Sequence, residues 1–233
     1  MILSHNDIAT AVANKDISII PFEEKQLQPA TYDLRVGKWG ATTSKKAKVD
    51  IEKTGYILLE PGDFAVVEVL EEITLSNSHA GRFGLRSKYA RKGLIATTGT
   101  QIDPGYNGIL VIGITNLTPR AISLPYKDDF VSIEFHKLEN PVTTPYAGPY
   151  QNKKGIGAEE IEAIVESDGM ALSEVLTTLR SLSSNVGALT EDVTKMSNDI
   201  SSLTNNLSSL KWFIGIAVGV LAVLVTIIQL FGK

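Results

Sequence analysis

Apolar positions along the 233-residue chain follow three regimes. Up to about residue 140 they come in short runs broken by turn residues, as in GYILLEPGDFAVVEVLEEITL (55–75), where Pro61-Gly62-Asp63 separates two strand-like segments. Strands at this spacing, with one convincing helix near residues 5–14 and Ser4 or Asn6 as its N-cap, predict a β-sandwich or barrel. The stretch ATTSKKAKVD (41–50) reads as a solvated loop. PVTTPYAGPYQNKKGIGA (141–158) is rich in Pro, Gly and Tyr; composition favours a linker, with a flap that closes on a ligand as the alternative.

From Leu172 the period changes. Leu172, Val175, Leu179, Leu182, Val186, Leu189, Val193, Met196, Ile200, Leu203, Leu207 and Leu210 are separated by alternating steps of three and four, the a/d seam of a coiled coil over 172–210. Flanking Ser, Thr and Asn are poor helix formers, so such helices depend on association, and the rod would be roughly 60 Å long at about 1.5 Å per residue. Trp212 to Phe231 then runs without a charge, long enough to cross a hydrocarbon core of roughly 30 Å. Lys211, Trp212 and Lys233 suit the two interfaces, and Gly215 and Gly219 form a GxxxG. With Gly232 and Lys233 following it, and without a signal-peptide pattern at MILSHNDIATAV (1–12), the segment predicts a single-pass, tail-anchored membrane protein with its globular part in the cytoplasm.

Composition narrows the chemistry. A net charge of −4 gives no basic surface for duplex nucleic acid. The absence of cysteine excludes disulfides and Cys-based zinc sites, and His5, His79 and His136 are too scattered for an HExxH-type metal motif, so no protein metal site is expected.

Two neighbouring stretches carry candidate chemistry. RSKYARKGL (86–94) offers guanidinium forks and a hydroxyl suited to phosphate oxygens, and QIDPGYNGILVIGITN (101–116) contains an Asp-Pro-Gly turn, by itself only a hairpin signal. Together with MILSHNDI, PFEEKQLQPATYDLRVG, ILLEPGDF, AGRFGLRSKYARKGL, IDPGYNG and GPYQNKKG, in that order, they resemble the dCTP deaminase and trimeric dUTPase superfamily, nearest its dCTP deaminase branch, over residues 1–157. The resemblance implies a mostly β, distorted barrel or jelly-roll-like domain that assembles as a homotrimer with sites between subunits. Residues 158–171 would then link it to a trimeric coiled coil and the membrane helix at 212–231.

The same resemblance assigns roles. Arg86, Ser87 and Arg91 match the phosphate-binding motif, and Lys88 stands where a second serine is usual. Asp103 resembles the aspartate that contacts the deoxyribose 3'-hydroxyl and orients the attacking water, and is the candidate catalytic residue. Tyr106 resembles the aromatic that packs on the sugar. Tyr150, Gln151 and Lys153 resemble a tail that folds over bound nucleotide, which turns the reading of 141–157 from linker to flap. Gln28 and Asp33 look like the first motif. Mg2+, carried on the phosphates, is the implied cofactor, and dCTP, dUTP or dTTP the implied ligand.

One position departs. Counting from Asp103, the glutamate that activates water for attack on cytosine falls at Gly113, which has nothing to accept a proton. FVSIEF (130–135) also departs from the family, and Glu134 is a weak substitute base. Deamination is therefore not expected. Three readings stay open: a membrane-anchored trimer that senses pyrimidine deoxynucleoside triphosphates, an architecture suited to an antiviral effector; a tethered enzyme, dUTP pyrophosphatase ahead of dCTP deaminase; or a scaffold whose pocket is degenerate.

Overall fold

The computed structural model describes residues 1–166 and 172–231. They fall into two compact units, Met1–Leu176 and Thr177–Lys233. The first opens with α1 (His5–Ala13), whose N-cap is Ser4: its hydroxyl accepts the Asp7 N–H while Asp7 reaches back to the Ser4 N–H, a reciprocal capping box. Eleven strands follow: β1 (Ile17–Ile20), β2 (Tyr32–Thr42), β3 (Lys48–Asp50), β4 (Tyr56–Leu59), β5 (Phe64–Leu75), β6 (His79–Leu85), β7 (Leu94–Ala96), β8 (Gln101–Ile102), β9 (Asn107–Asn116), β10 (Ile122–Pro125) and β11 (Asp129–Lys137). One-turn helices α2 (Ile51–Thr54) and α3 (Ser87–Ala90) interrupt them.

Nine strands make one sheet in the order β7-β9-β5-β2-β11-β6-β8, with β1 added to β5 and β3 to β2; β4 and β10 pair separately, and every pairing is antiparallel. Register shifts between Glu68 and Glu72, Val36 and Gly40, and Asp129 and Val131 bend the long strands, so the sheet curls on itself instead of lying flat. The expected barrel-like, mostly β domain is what forms. Its concave side closes over Tyr32, Leu34, Ile73, Ile112, Phe130 and Phe135, all fully buried. Arg35 of β2 and Glu71 of β5 lie inside as well, paired at 2.6 Å, and Glu71 also accepts the Arg35 N–H at 3.0 Å. Burial raises Glu71 above the ordinary carboxylate range although Arg35 opposes it.

Two local expectations need correction. Residues 41–50 are not one solvated loop: β2 runs to Thr42, with Ala41 and Thr42 fully buried, and β3 begins at Lys48. Residues 158–166, expected within a linker, form α4 (Ala158–Glu166). Its Ile161 and Ile164 pack with Ala41, Val66, Phe64 and Val111, and a fully buried isoleucine contributes roughly 1.5–3 kcal/mol. The remainder of that expected linker, 167–171, lies outside the described residues.

The second unit is helical. α5 (Leu172–Phe231) is continuous through the predicted seam and the apolar segment. Ten seam positions, from Leu179 to Leu210, are exposed in the single chain. By length and composition, Thr177–Ile227 contains a stretch apolar enough to cross a membrane, with mean hydropathy 2.3.

Candidate functional site

Beside β9 lies a cavity of about 580 Å3, a size that suits a small molecule. Its floor is β9 from Ile109 to Gly113, its side is the segment Thr97–Asp103, Phe64 and Val66 of β5 close one end, and Tyr106, Tyr146, Tyr150, Lys153 and Glu160 complete it. Asp103, Tyr106, Tyr150 and Lys153 all line this cavity.

The tail that carries Tyr146 to Lys153 is tied to its own sheet. Gln151 donates from Nε2 to the Gly105 carbonyl (2.8 Å) and accepts the Asn107 N–H at Oε1 (2.9 Å). Asn152 N–H donates to the Asn107 carbonyl at 2.7 Å, and Ile109 N–H to the Lys153 carbonyl at 2.8 Å. Gly108 makes this possible, since a Cβ there would meet the Lys153 backbone at 2.8–2.9 Å. Gln151 is therefore a clamp on the tail and does not line the cavity. Tyr146 packs on Tyr106, centroids 5.9 Å apart, and burial, with Tyr146 and Glu72 nearby, raises the Tyr106 hydroxyl, which donates to the Ile109 carbonyl.

The cationic stretch lies elsewhere. None of Arg86, Ser87, Lys88 and Arg91 lines the cavity. Arg86 pairs with buried Asp33, which also accepts from Ser132 at 2.5 Å, and with Asp129 at 3.3 Å. Lys88 pairs with Asp128 at 2.6 Å, while Ser87 and Arg91 are exposed around α3. The two stretches do not form two walls of one pocket within a single chain. Lys153 is the one cation among the lining residues, against two carboxylates, Asp103 and Glu160.

Gly113 sits on the β9 face shared with Ile109 and Val111. A Cβ at this position would meet Thr97 Oγ1 at 2.8 Å, Thr98 Oγ1 at 2.9 Å and Phe64 Cε2 at 3.1 Å. Gly113 N–H donates to Thr98 Oγ1, and its carbonyl accepts Thr97 N–H at 2.8 Å. The space a side chain would need is filled by two hydroxyls. Glu134 offers no replacement: it pairs with His136 on β11 at 3.0 Å and lies outside the lining.

A family profile described as dCTP deaminase-like matches residues 2–138, more than half of the chain. The chain belongs to the dCTP deaminase-like family. It is 39% identical over 142 residues to a dCTP deaminase of Pyrococcus abyssi, 61% of this chain and 90% of that protein. It is 31% identical over 156 residues to a probable deoxyuridine 5'-triphosphate nucleotidohydrolase of Sulfolobus islandicus rod-shaped virus 1, 67% of this chain and 96% of that one. The crystal structure of a 2'-deoxycytidine 5'-triphosphate deaminase from Agrobacterium tumefaciens shares the fold, with TM-score 0.50 at 20% identity over 58% of this chain and 48% of that one.

Sequence reading of this dCTP deaminase-like domain missed Thr97, Thr98 and Glu160. The hydroxyls carry no local signal, because their role depends on β7 lying beside β9. Glu160 was within reach: Gly157 followed by AEEIEAIVE, with apolar residues at 161, 164 and 165, has helical spacing and a glutamate three residues after its N-cap.

Proposed function

We propose that this chain binds pyrimidine deoxynucleoside triphosphates without deaminating them, as the sensing part of a membrane-anchored homotrimer. The observation that carries the reading is Gly113. Deamination needs a proton acceptor beside the reacting carbon; glycine supplies none, and a Cβ there would already meet the Thr97 and Thr98 hydroxyls at 2.8 and 2.9 Å, which supports the reading. Asp103 and Tyr106 in the same cavity support retained sugar recognition.

Charge supports assembly. A triphosphate brings several negative charges into a cavity lined by two carboxylates and one ammonium, so its oxygens need cations from elsewhere. Ser87 on α3 and Arg91 just after it, both exposed, are the groups a neighbouring copy would bring, and the exposed seam of α5 from Leu179 to Leu210 would hold the copies together as a trimeric coiled coil. Mg2+ would be held chiefly by the phosphates, since among the described residues no group of three or more acidic or histidine side chains gathers to hold an ion. The apolar part of α5 would anchor the trimer with the β domain in the cytoplasm, and a role in antiviral defence fits a nucleotide sensor at a membrane.

Equilibrium binding of dCTP, dUTP and dTTP to the detergent-solubilised chain, with chromatography of products after incubation with Mg2+, tests the proposal. Binding with no turnover, weakened at least tenfold by Arg91→Ala, is expected. Release of dUTP from dCTP sinks it. A second reading, hydrolysis of dUTP to dUMP and pyrophosphate, is favoured by the meeting of Asp103 and Tyr106, and would be read as pyrophosphate lost on Asp103→Ala.

A further inference from the structure

The one cation of the cavity is neutralised by a carboxylate from a helix outside the family match. Lys153 Nζ is ion-paired to Glu160 Oε1, and each side chain is 16% exposed. The second oxygen, Glu160 Oε2, accepts the Gly157 N–H at 2.8 Å. Gly157 precedes α4 and Glu160 is its third residue, so the same carboxylate satisfies a donor that has no partner within the helix. One side chain closes the cavity's charge and starts α4.

The helix also rests on the cavity wall. Ile161 and Ile164 pack against Phe64, Val66 and Val111, and those three residues also line the cavity. Glu160 is poorly placed to replace the missing base, because both of its oxygens are engaged. Burial would raise it, but the bonds from Lys153 and Gly157 outweigh burial and hold it below the ordinary carboxylate range, where it accepts a proton from water reluctantly.

An anionic ligand meets a conflict here. With the pair intact, Lys153 and Glu160 cancel and Asp103 leaves the lining net negative. Lys153 has three donors, but phosphate oxygens brought to its ammonium stand against the Glu160 carboxylate, like charge on like charge.

We infer that Lys153 and Glu160 form an occupancy-sensitive latch: phosphate oxygens that take Lys153 expel Glu160 and loosen the first turn of α4, the helix that precedes α5 in the chain. This rests on the nucleotide-binding reading and concerns how that site reports its ligand. Linkage requires the converse, that weakening the latch strengthens the ligand.

Hydrogen exchange of the full chain in detergent, with and without saturating dCTP, dUTP or dTTP and Mg2+, reads the amides of residues 158–166. Ligand should accelerate their exchange about fivefold in the wild type. Glu160→Gln, which keeps an oxygen for Gly157 but removes the charge, should exchange fast without ligand and bind nucleotide about fivefold more tightly. Nucleotide that binds but leaves α4 exchange unchanged or slower overturns the latch, a result available from the wild type alone if the variant does not fold. Weaker binding by Glu160→Gln overturns it too, since Glu160 would then orient Lys153 for the ligand. Failure of wild type and variant alike to bind sinks the nucleotide reading together with the latch, so the two failures are told apart.

Discussion

Replacing Gly113 by alanine adds one carbon at the middle of β9, and the structure allows its cost to be worked out. The backbone there is outside the left-handed region, so alanine meets no conformational penalty, and the loss of freedom in the unfolded chain favours the variant by about 0.4–1 kcal/mol. Against this, the new carbon finds two oxygens within 3.0 Å and a Phe64 ring carbon at 3.1 Å, and overpacking of this kind costs about 1–3 kcal/mol. The net expectation is destabilisation by about 0–2.6 kcal/mol, up to roughly 10 °C in Tm for a unit of this size. Thermal unfolding is followed by the fluorescence of Trp39 in β2, with Trp212 replaced by phenylalanine in every variant. Thr97→Ala, at an exposed position, should change stability by less than about 0.5 kcal/mol alone, yet recover at least half of the Gly113→Ala loss when combined with it. If Gly113→Ala is stabilising, or if the two effects simply add, Thr97 does not fill the side-chain space at Gly113.

Three other outcomes are expected. Glu71→Ala removes the buried carboxylate that holds the Arg35 side chain and N–H and leaves Glu23 as the remaining ion-pair partner, which should lower stability by about 1–3 kcal/mol in urea titration; a loss under about 0.5 kcal/mol would contradict the assigned pairing. Gln151→Ala removes two bonds to the backbone at Gly105 and Asn107, a cost of about 1–3 kcal/mol, and should make residues 146–157 the first site of limited proteolysis, whereas an unchanged cleavage pattern would show that the tail is held by other contacts. Glu160 is held below its unfolded value, so its contribution is present above the unfolded pKa and is lost as pH falls through the lower folded one. Protection of α4 from hydrogen exchange, corrected for intrinsic rates, should therefore fall below the ordinary carboxylate range in the wild type and show no such step in Glu160→Gln.

Much of the architecture was legible because it rests on short-range rules. Ser4 followed three residues later by Asp7 marks the start of α1 whatever surrounds it, Pro61-Gly62-Asp63 breaks β4 from β5, and the three-four spacing from Leu172 onward can only be a helix stripe. Gly113 is likewise visible in the chain as a position without a proton acceptor. The cavity is different in kind. Its walls come from Phe64, Val66 and Phe83, residues 97–103, Tyr106, residues 109–113, Tyr146, Tyr150, Lys153 and Glu160, and their meeting depends on β7 and β5 flanking β9 and on the tail folding back along Asn107 to Ile109. Periodicity records which face of a strand is apolar but not which strand lies next to it. That is why Arg86 to Arg91, close to Asp103 in the chain, lie off the cavity, while Glu160, remote in the chain, lies on it. The sequence alone determined α1, the β4–β5 break, the long helical stripe and the absence of a side chain at Gly113; only the tertiary structure decided that Thr97 and Thr98 lie against Gly113 and that Lys153 is paired with Glu160, because long-range strand order, not local propensity, brings those atoms together.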